Sequence, residues 1–184
     1  MTKEYTSLGL MSGTSGDGVD ASIIISDGKN NYRTISDEYF KYDEEIYHNI
    51  HNLKEKINSE KDLENHSKEI MKLEKKLTFF HAKVVQNLLK KTKVDLVGFH
   101  GQTIYHNSDQ KISKQLGDGK LLSQLLNKTI VCNFRENDIK QGGEGAPLTP
   151  IFHQLILKQH KIDIPSCVLN IGGISNLTIV SNYD

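Results

Sequence analysis

Net charge is what this sequence most plainly lacks: 23 Lys and Arg offset 23 Asp and Glu across 184 residues. A chain with no excess of either sign exerts no long-range pull on nucleic acid or an anionic membrane, so neither is expected as a partner. Long apolar runs are missing too. Residues 1–7 are polar and nothing after them approaches the ~20 apolar residues of a spanning helix, so neither a secretory leader nor a membrane span is expected and the cytoplasm is implied. Cysteine is scarce. Cys132 and Cys167 lie far apart, each beside apolar β-type residues, and read as reduced, buried thiols with no functional role. No repeat or low-complexity tract of useful length is present, and the length suits one domain and part of another.

What is present is a glycine-rich loop, Gly13-Thr14-Ser15-Gly16-Asp17-Gly18-Val19-Asp20, flanked by apolar β-type residues on both sides. Its glycines let the backbone turn tightly, and its amides and the hydroxyls of Thr14 and Ser15 suit phosphate oxygens. A nucleotide phosphate is the first candidate ligand. The loop lacks the Lys and Ser/Thr of a Walker loop, and the run Ile23-Ile24-Ile25 that follows favours a strand over the helix that a dinucleotide fingerprint requires. The loop is therefore expected to join two strands. With no lysine of its own, it would leave the phosphate charge to a divalent metal, for which Asp17 and Asp20 are acceptable oxygen donors. An ordinary Gly/Asp hairpin turn explains the same residues equally well.

Strands are expected near residues 7–11, 21–26 and 32–39, forming an antiparallel meander. Asp43 should cap a helix carrying Ile46, Ile50 and Leu53 on one face. A second helix over residues 60–91 repeats Leu63, Ile70, Leu73, Leu77, Phe80, Val84 and Leu88, with a Lys/Glu-rich solvated face opposite. A strand at 94–98, a helix at 121–126, a strand at 129–133, a helix at 147–159 and a hairpin at 167–180 complete a mixed α/β domain, its sheet covered by helices.

Further clusters fall where loops are expected to leave strands, which is where α/β sheets bind ligands. His100, Gln102 and Thr103 supply an imidazole, an amide and a hydroxyl suited to a many-hydroxyl sugar, although His100 alone is equally a structural histidine. Arg135 can clamp a carboxylate or phosphate and Asp138 can accept from sugar hydroxyls; a surface salt bridge is the plainer reading. The glycines of Gly142-Gly143-Glu144-Gly145 serve helix entry as readily as ligand contact.

Five segments, LGLMSGTSGDGVDAS, GFHGQTIYH, QLGDGKLL, NFRENDIKQGGEGAPLTP and VLNIGGISNLT, together resemble the anhydro-N-acetylmuramic acid kinase family, in that order from Leu8 to Thr178. The resemblance implies a ribonuclease H-like (actin-like ATPase) domain over residues 1–165, with mixed sheet and flanking helices. It also implies the first hairpin of a second similar domain over 166–184. The family belongs with the sugar kinase, heat-shock chaperone and actin group. Its members use ATP and water to open 1,6-anhydro-N-acetylmuramic acid and phosphorylate O6, giving N-acetylmuramic acid 6-phosphate in cell-wall sugar recycling. ATP and Mg2+ are thus the implied cofactors, with Gly13, Thr14, Ser15, Gly16, Asp17, Gly18, Val19 and Asp20 forming the phosphate loop. His100, Gln102, Thr103, Arg135 and Asp138 are implied near the sugar, and Gly172 and Gly173 on the far side of the phosphates. No metal ligand is assigned, and a homodimer of the full-length form stays open.

Three departures qualify the resemblance. The family commonly has Asp in place of Asn133 and a larger apolar residue in place of Gly16. Its members are roughly twice as long, and their general base, in an Asp-x-Gly-Pro-Gly-Asn segment, lies beyond the position of Asp184. No catalytic residue is therefore assigned, and the 184-residue chain is expected to be inactive alone. The alternatives are a non-catalytic nucleotide- or sugar-binding remnant and, more weakly, a chaperone-like ATPase.

Overall fold

The computed structural model describes residues 3–171 and 175–183. Gly172, Gly173 and Ile174, for which sequence expectations exist, lie outside the described residues, as does Asp184. Strands β1 (Tyr5–Ser12), β2 (Gly18–Ser26) and β3 (Tyr32–Lys41) form the expected antiparallel meander. Leu8, Leu10, Val19, Ala21 and Ile23 are buried while their neighbours are more exposed, the two-residue alternation of a sheet with one face in the core.

Helices pack on that face. Helix α1 (Glu44–Lys56) starts where Asp43 accepts a hydrogen bond from Ile46 N at 2.8 Å, and buries Ile46, Ile50 and Leu53. The long helix expected over 60–91 is two, α2 (Glu60–Asn65) and α3 (Ser67–Leu89). The break falls at His66, whose backbone leaves helical geometry between the polar, weakly helix-forming Asn65 and Ser67. Helix α3 buries Ile70, Leu73, Leu77, Val84, Val85 and Leu88 against the sheet and α1.

Strand β4 (Leu96–Asn107) runs through the segment expected to be a loop after residue 98. It lies parallel to β1 on one edge; on the other, its first half pairs with β6 (Thr129–Cys132) and its second half with β5 (Ile112–Leu116). Helix α4 (Gly119–Leu126), capped by Asp118 and burying Leu122, joins β5 to β6 on the helical face. The changeover of partners falls at Gly101 (φ +74°). Met11 of β1 there faces two residues, His100 and Gly101, so β4 carries a bulge.

Residues 133–138, expected as a loop, form α5 (Phe134–Lys140), which Asn133 enters in the left-handed conformation that asparagine tolerates. Helix α6 (Pro150–Gln159), with Pro150 rather than Pro147 in its first turn, crosses the opposite face of the sheet. There Phe152 packs on Tyr32 at 5.0 Å, and Gln159 bonds both N and O of Tyr32. Strands β7 (Ser166–Asn170) and β8 (Asn176–Val180) form a separate antiparallel ribbon. The expectation of two buried thiols fails: Cys132 is partly covered, but Cys167, on a strand with no second sheet over it, is exposed.

Candidate functional site

The loop between β1 and β2 is a tight turn in which Gly16 N donates to Gly13 O at 3.1 Å. Gly16 takes φ +66°, a conformation costly for any residue with a Cβ, so glycine here fits the turn rather than loosening it. Thr14, Ser15, Asp17 and Asp20 point outward. Ser15 Oγ donates to Asp17 at 2.5 Å, and this bond, foremost, holds the Asp17 carboxyl below its usual range. The loop is anchored from beneath. Asp17 O accepts from Tyr42 N at 2.9 Å, and the Tyr42 hydroxyl shares a 2.6 Å hydrogen bond with buried Ser12. Ser12 also lies 3.4 Å from His81 Nε2. His81 is fully buried and donates Nδ1–H to Leu77 O at 2.7 Å; burial pushes its pKa down to about 4, so the ring is neutral.

Two residues that sequence reasoning missed come from α1. Lys54 Nζ donates to Thr14 O at 2.6 Å. A Cβ on Gly16 would stand 3.0 Å from Ile50 Cγ2, 3.6 Å from His51 Nε2 and 3.8 Å from Gln102 Oε1. His51 and Lys54 are one helical turn apart and flank the buried Leu53, so their common side was legible in the helix periodicity. Its docking on a loop some forty residues earlier was not.

The structure divides the residues assigned to a sugar. Gln102, fully buried, donates Nε2 to Gly13 O at 2.9 Å and to Thr103 O at 3.3 Å, and so belongs to the underside of the glycine loop. Its Oε1 and His51 Nε2 are buried without a protein hydrogen-bond partner among the described residues. His100 goes elsewhere. Its Nδ1–H donates to Gly101 O at 2.7 Å and its Nε2 accepts from Arg135 Nε at 2.8 Å, which fixes a neutral ring; burial, then the Arg135 charge, lower its pKa. Arg135 also donates to Gly145 O at 2.8 Å, and Asp138 accepts from Gly145 N at 2.8 Å. The glycines at 142–145 are thus clipped to α5 rather than opening a helix. Thr103 meets the first group only through its carbonyl, and its hydroxyl accepts from Gln115 at 3.3 Å.

The bulge explains the division. An uninterrupted strand would send His100 and Gln102 to the same side; the additional residue at Gly101 restarts the alternation, so that Phe99 and Gln102 are both fully buried and His100 faces α5. Among the described residues no group of three or more His, Cys, Asp or Glu side chains is placed to hold a metal, and no helix is long and apolar enough to cross a membrane. Asp17 and Asp20 are exposed on the loop, and carboxylate oxygens are of the kind that Mg2+ takes while keeping water and phosphate oxygens as its other ligands.

Comparison with known proteins adds an independent line. A family model described as anhydro-N-acetylmuramic acid kinase matches residues 5–183. A protein of that name from Pelagibacter ubique is 63% identical over 182 residues, covering 98% of this chain and 48% of its own. Proteins of the same name from Gluconobacter oxydans and Rhodopseudomonas palustris are 38% and 35% identical, covering 96% and 97% of this chain and 48% and 50% of theirs. The chain spans about half the length of the curated relatives it matches.

Proposed function

Because the chain belongs to the anhydro-N-acetylmuramic acid kinase family, we propose that it is the N-terminal, ligand-binding half of an ATP-dependent sugar kinase. In that reading residues 1–165 are an actin-like ATPase domain, and 166–184 open a second, similar domain. Residues 13–20 hold the ATP phosphates, with Mg2+ supplying further positive charge. The sugar is 1,6-anhydro-N-acetylmuramic acid, held near His100, Arg135 and Asp138. Gln102 reaches it only through the loop it supports, and Thr103 lines the approach. The cytoplasm is the proposed compartment, supported by Cys132 and Cys167, both of which are free thiols.

The observation that carries this reading is the 63% identity to a relative named for that kinase, in a match that covers 98% of this chain. Two features of the geometry support it: a loop turned tightly, with two hydroxyls and two carboxylates outward, and a neutral imidazole locked to a guanidinium against α5. In such a site Arg135, fixed by Gly145 O and His100, is a preorganised cation that need not reorganise as charge develops. The fused reaction of water, sugar and ATP requires a base and closure over the ligands, and no residue of this chain is assigned as that base.

The test is to compare the chain alone with the chain joined to the C-terminal half of the Pelagibacter ubique relative, following ADP and sugar phosphate. Turnover is expected only in the joined protein. No turnover in either, with both folded, would favour the second reading, a binding remnant, which the half-length match motivates. Steady turnover by the chain alone would overturn the expectation of inactivity.

A further inference from the structure

A glycine-rich loop with no lysine of its own must have the charge of a bound polyphosphate met from elsewhere. Helix α1 brings a cation to it. Ile50 of α1 is fully buried, with Cγ2 only 3.0 Å from the point a Cβ on Gly16 would occupy, so the helix is seated firmly against the turn. One turn further on, partly buried Lys54 reaches the loop and donates to Thr14 O at 2.6 Å. That bond uses one of the three ammonium donors and leaves two.

Two other lysines behave differently. Lys56 of the same helix is paired with Glu69 at 2.9 Å and Lys114 with Glu74 at 3.0 Å, whereas no carboxylate lies within ion-pair distance of Lys54 among the described residues. Asp17 and Asp20 belong to the very loop that Lys54 touches, yet neither pairs with it. Among the described residues Lys54 is the cation hydrogen-bonded to residues 13–20. We propose that Lys54 binds the polyphosphate of a nucleoside triphosphate, supplying from α1 the positive charge that other phosphate loops carry within their own sequence.

The proposal rests on residues 13–20 being the nucleotide loop, and its test separates the two. In the joined protein described above, Lys54→Gln keeps a donor for Thr14 O but removes the charge, and Lys54→Arg keeps the charge. Lys54→Gln is expected to raise KM for ATP about tenfold, the scale of one charge-assisted hydrogen bond, and to leave KM for the sugar within about twofold. It should also flatten the salt dependence of KM for ATP, while Lys54→Arg stays within about threefold of the parent. A Lys54→Gln protein with unchanged KM for ATP, or Gln and Arg variants impaired alike, would overturn the role of Lys54 while leaving the nucleotide loop standing. If the parent itself uses no ATP, the nucleotide reading falls and this one with it.

Discussion

Alanine at Gly101 would test whether the bulge in β4 is built as described. A Cβ there would stand 2.3 Å from Leu116 O and 3.2 Å from its carbonyl carbon, with the backbone at φ +74°. Gly28 is a natural control, at φ +73° with nothing within 4 Å of its would-be Cβ. Both substitutions incur the left-handed strain of about 1–2 kcal/mol and regain about 0.4–1 kcal/mol from a stiffer unfolded chain, so Gly28→Ala should cost about 1 kcal/mol. Gly101→Ala must in addition push back the end of β5, an overpacking cost of about 1–3 kcal/mol. The gap between the two variants is then about 2 kcal/mol, or roughly 4–8 °C in Tm for a chain of this size. Urea unfolding of the two variants side by side, with unchanged m-values, measures it. Equal destabilisation within about 0.5 kcal/mol would mean that the Leu116 carbonyl does not abut Gly101, and the account of how His100 and Gln102 are divided would fail.

Stability should also depend on pH through His81. Its pKa falls from 6.5 to about 4 on folding, so below pH 6.5 the unfolded chain binds a proton that the folded one refuses. Stability present above pH 6.5 is therefore lost as the pH falls towards 4, by about 2 kcal/mol between pH 7 and 5, and His81→Gln should remove that part of the slope; an unaltered slope would refute the assignment. Asp43→Ala removes the cap on Ile46 N and should cost about 0.5–2 kcal/mol, whereas Asp43→Asn should recover most of it. Thermal unfolding of the two variants checks this, and equal losses would point to charge rather than capping.

Local chemistry explains what the sequence disclosed. The meander, the loop at 13–20, the Asp43 cap and the buried stripe of α1 follow from residues within a few positions of one another. The missed features depend on distant partners. Strand β5 has only Ile112 and Leu116 as apolar residues in ISKQL, and it exists because β4 offers it an edge. The bulge at Gly101 arises where β4 exchanges β6 for β5, which no local pattern encodes. Helix α5 has no apolar period; its residues instead bind the glycine segment that follows. His51 and Lys54 read as helix-surface residues until the fold lays α1 against the first turn of the sheet.

The β7–β8 ribbon is two-sided. Thr178 and Val180 are covered, with Thr178 hydrogen-bonded to His153 of α6 at 2.8 Å, while Leu169, Leu177 and Ile179 are more than half exposed. Water must therefore solvate a row of aliphatic groups held at fixed spacing, which makes the ribbon the colloidal weak point of the chain. Concentration should drive copies together through this strip before any other surface, and charged substitutions at Leu177 or Ile179 should keep the protein dispersed while leaving the six-stranded sheet untouched.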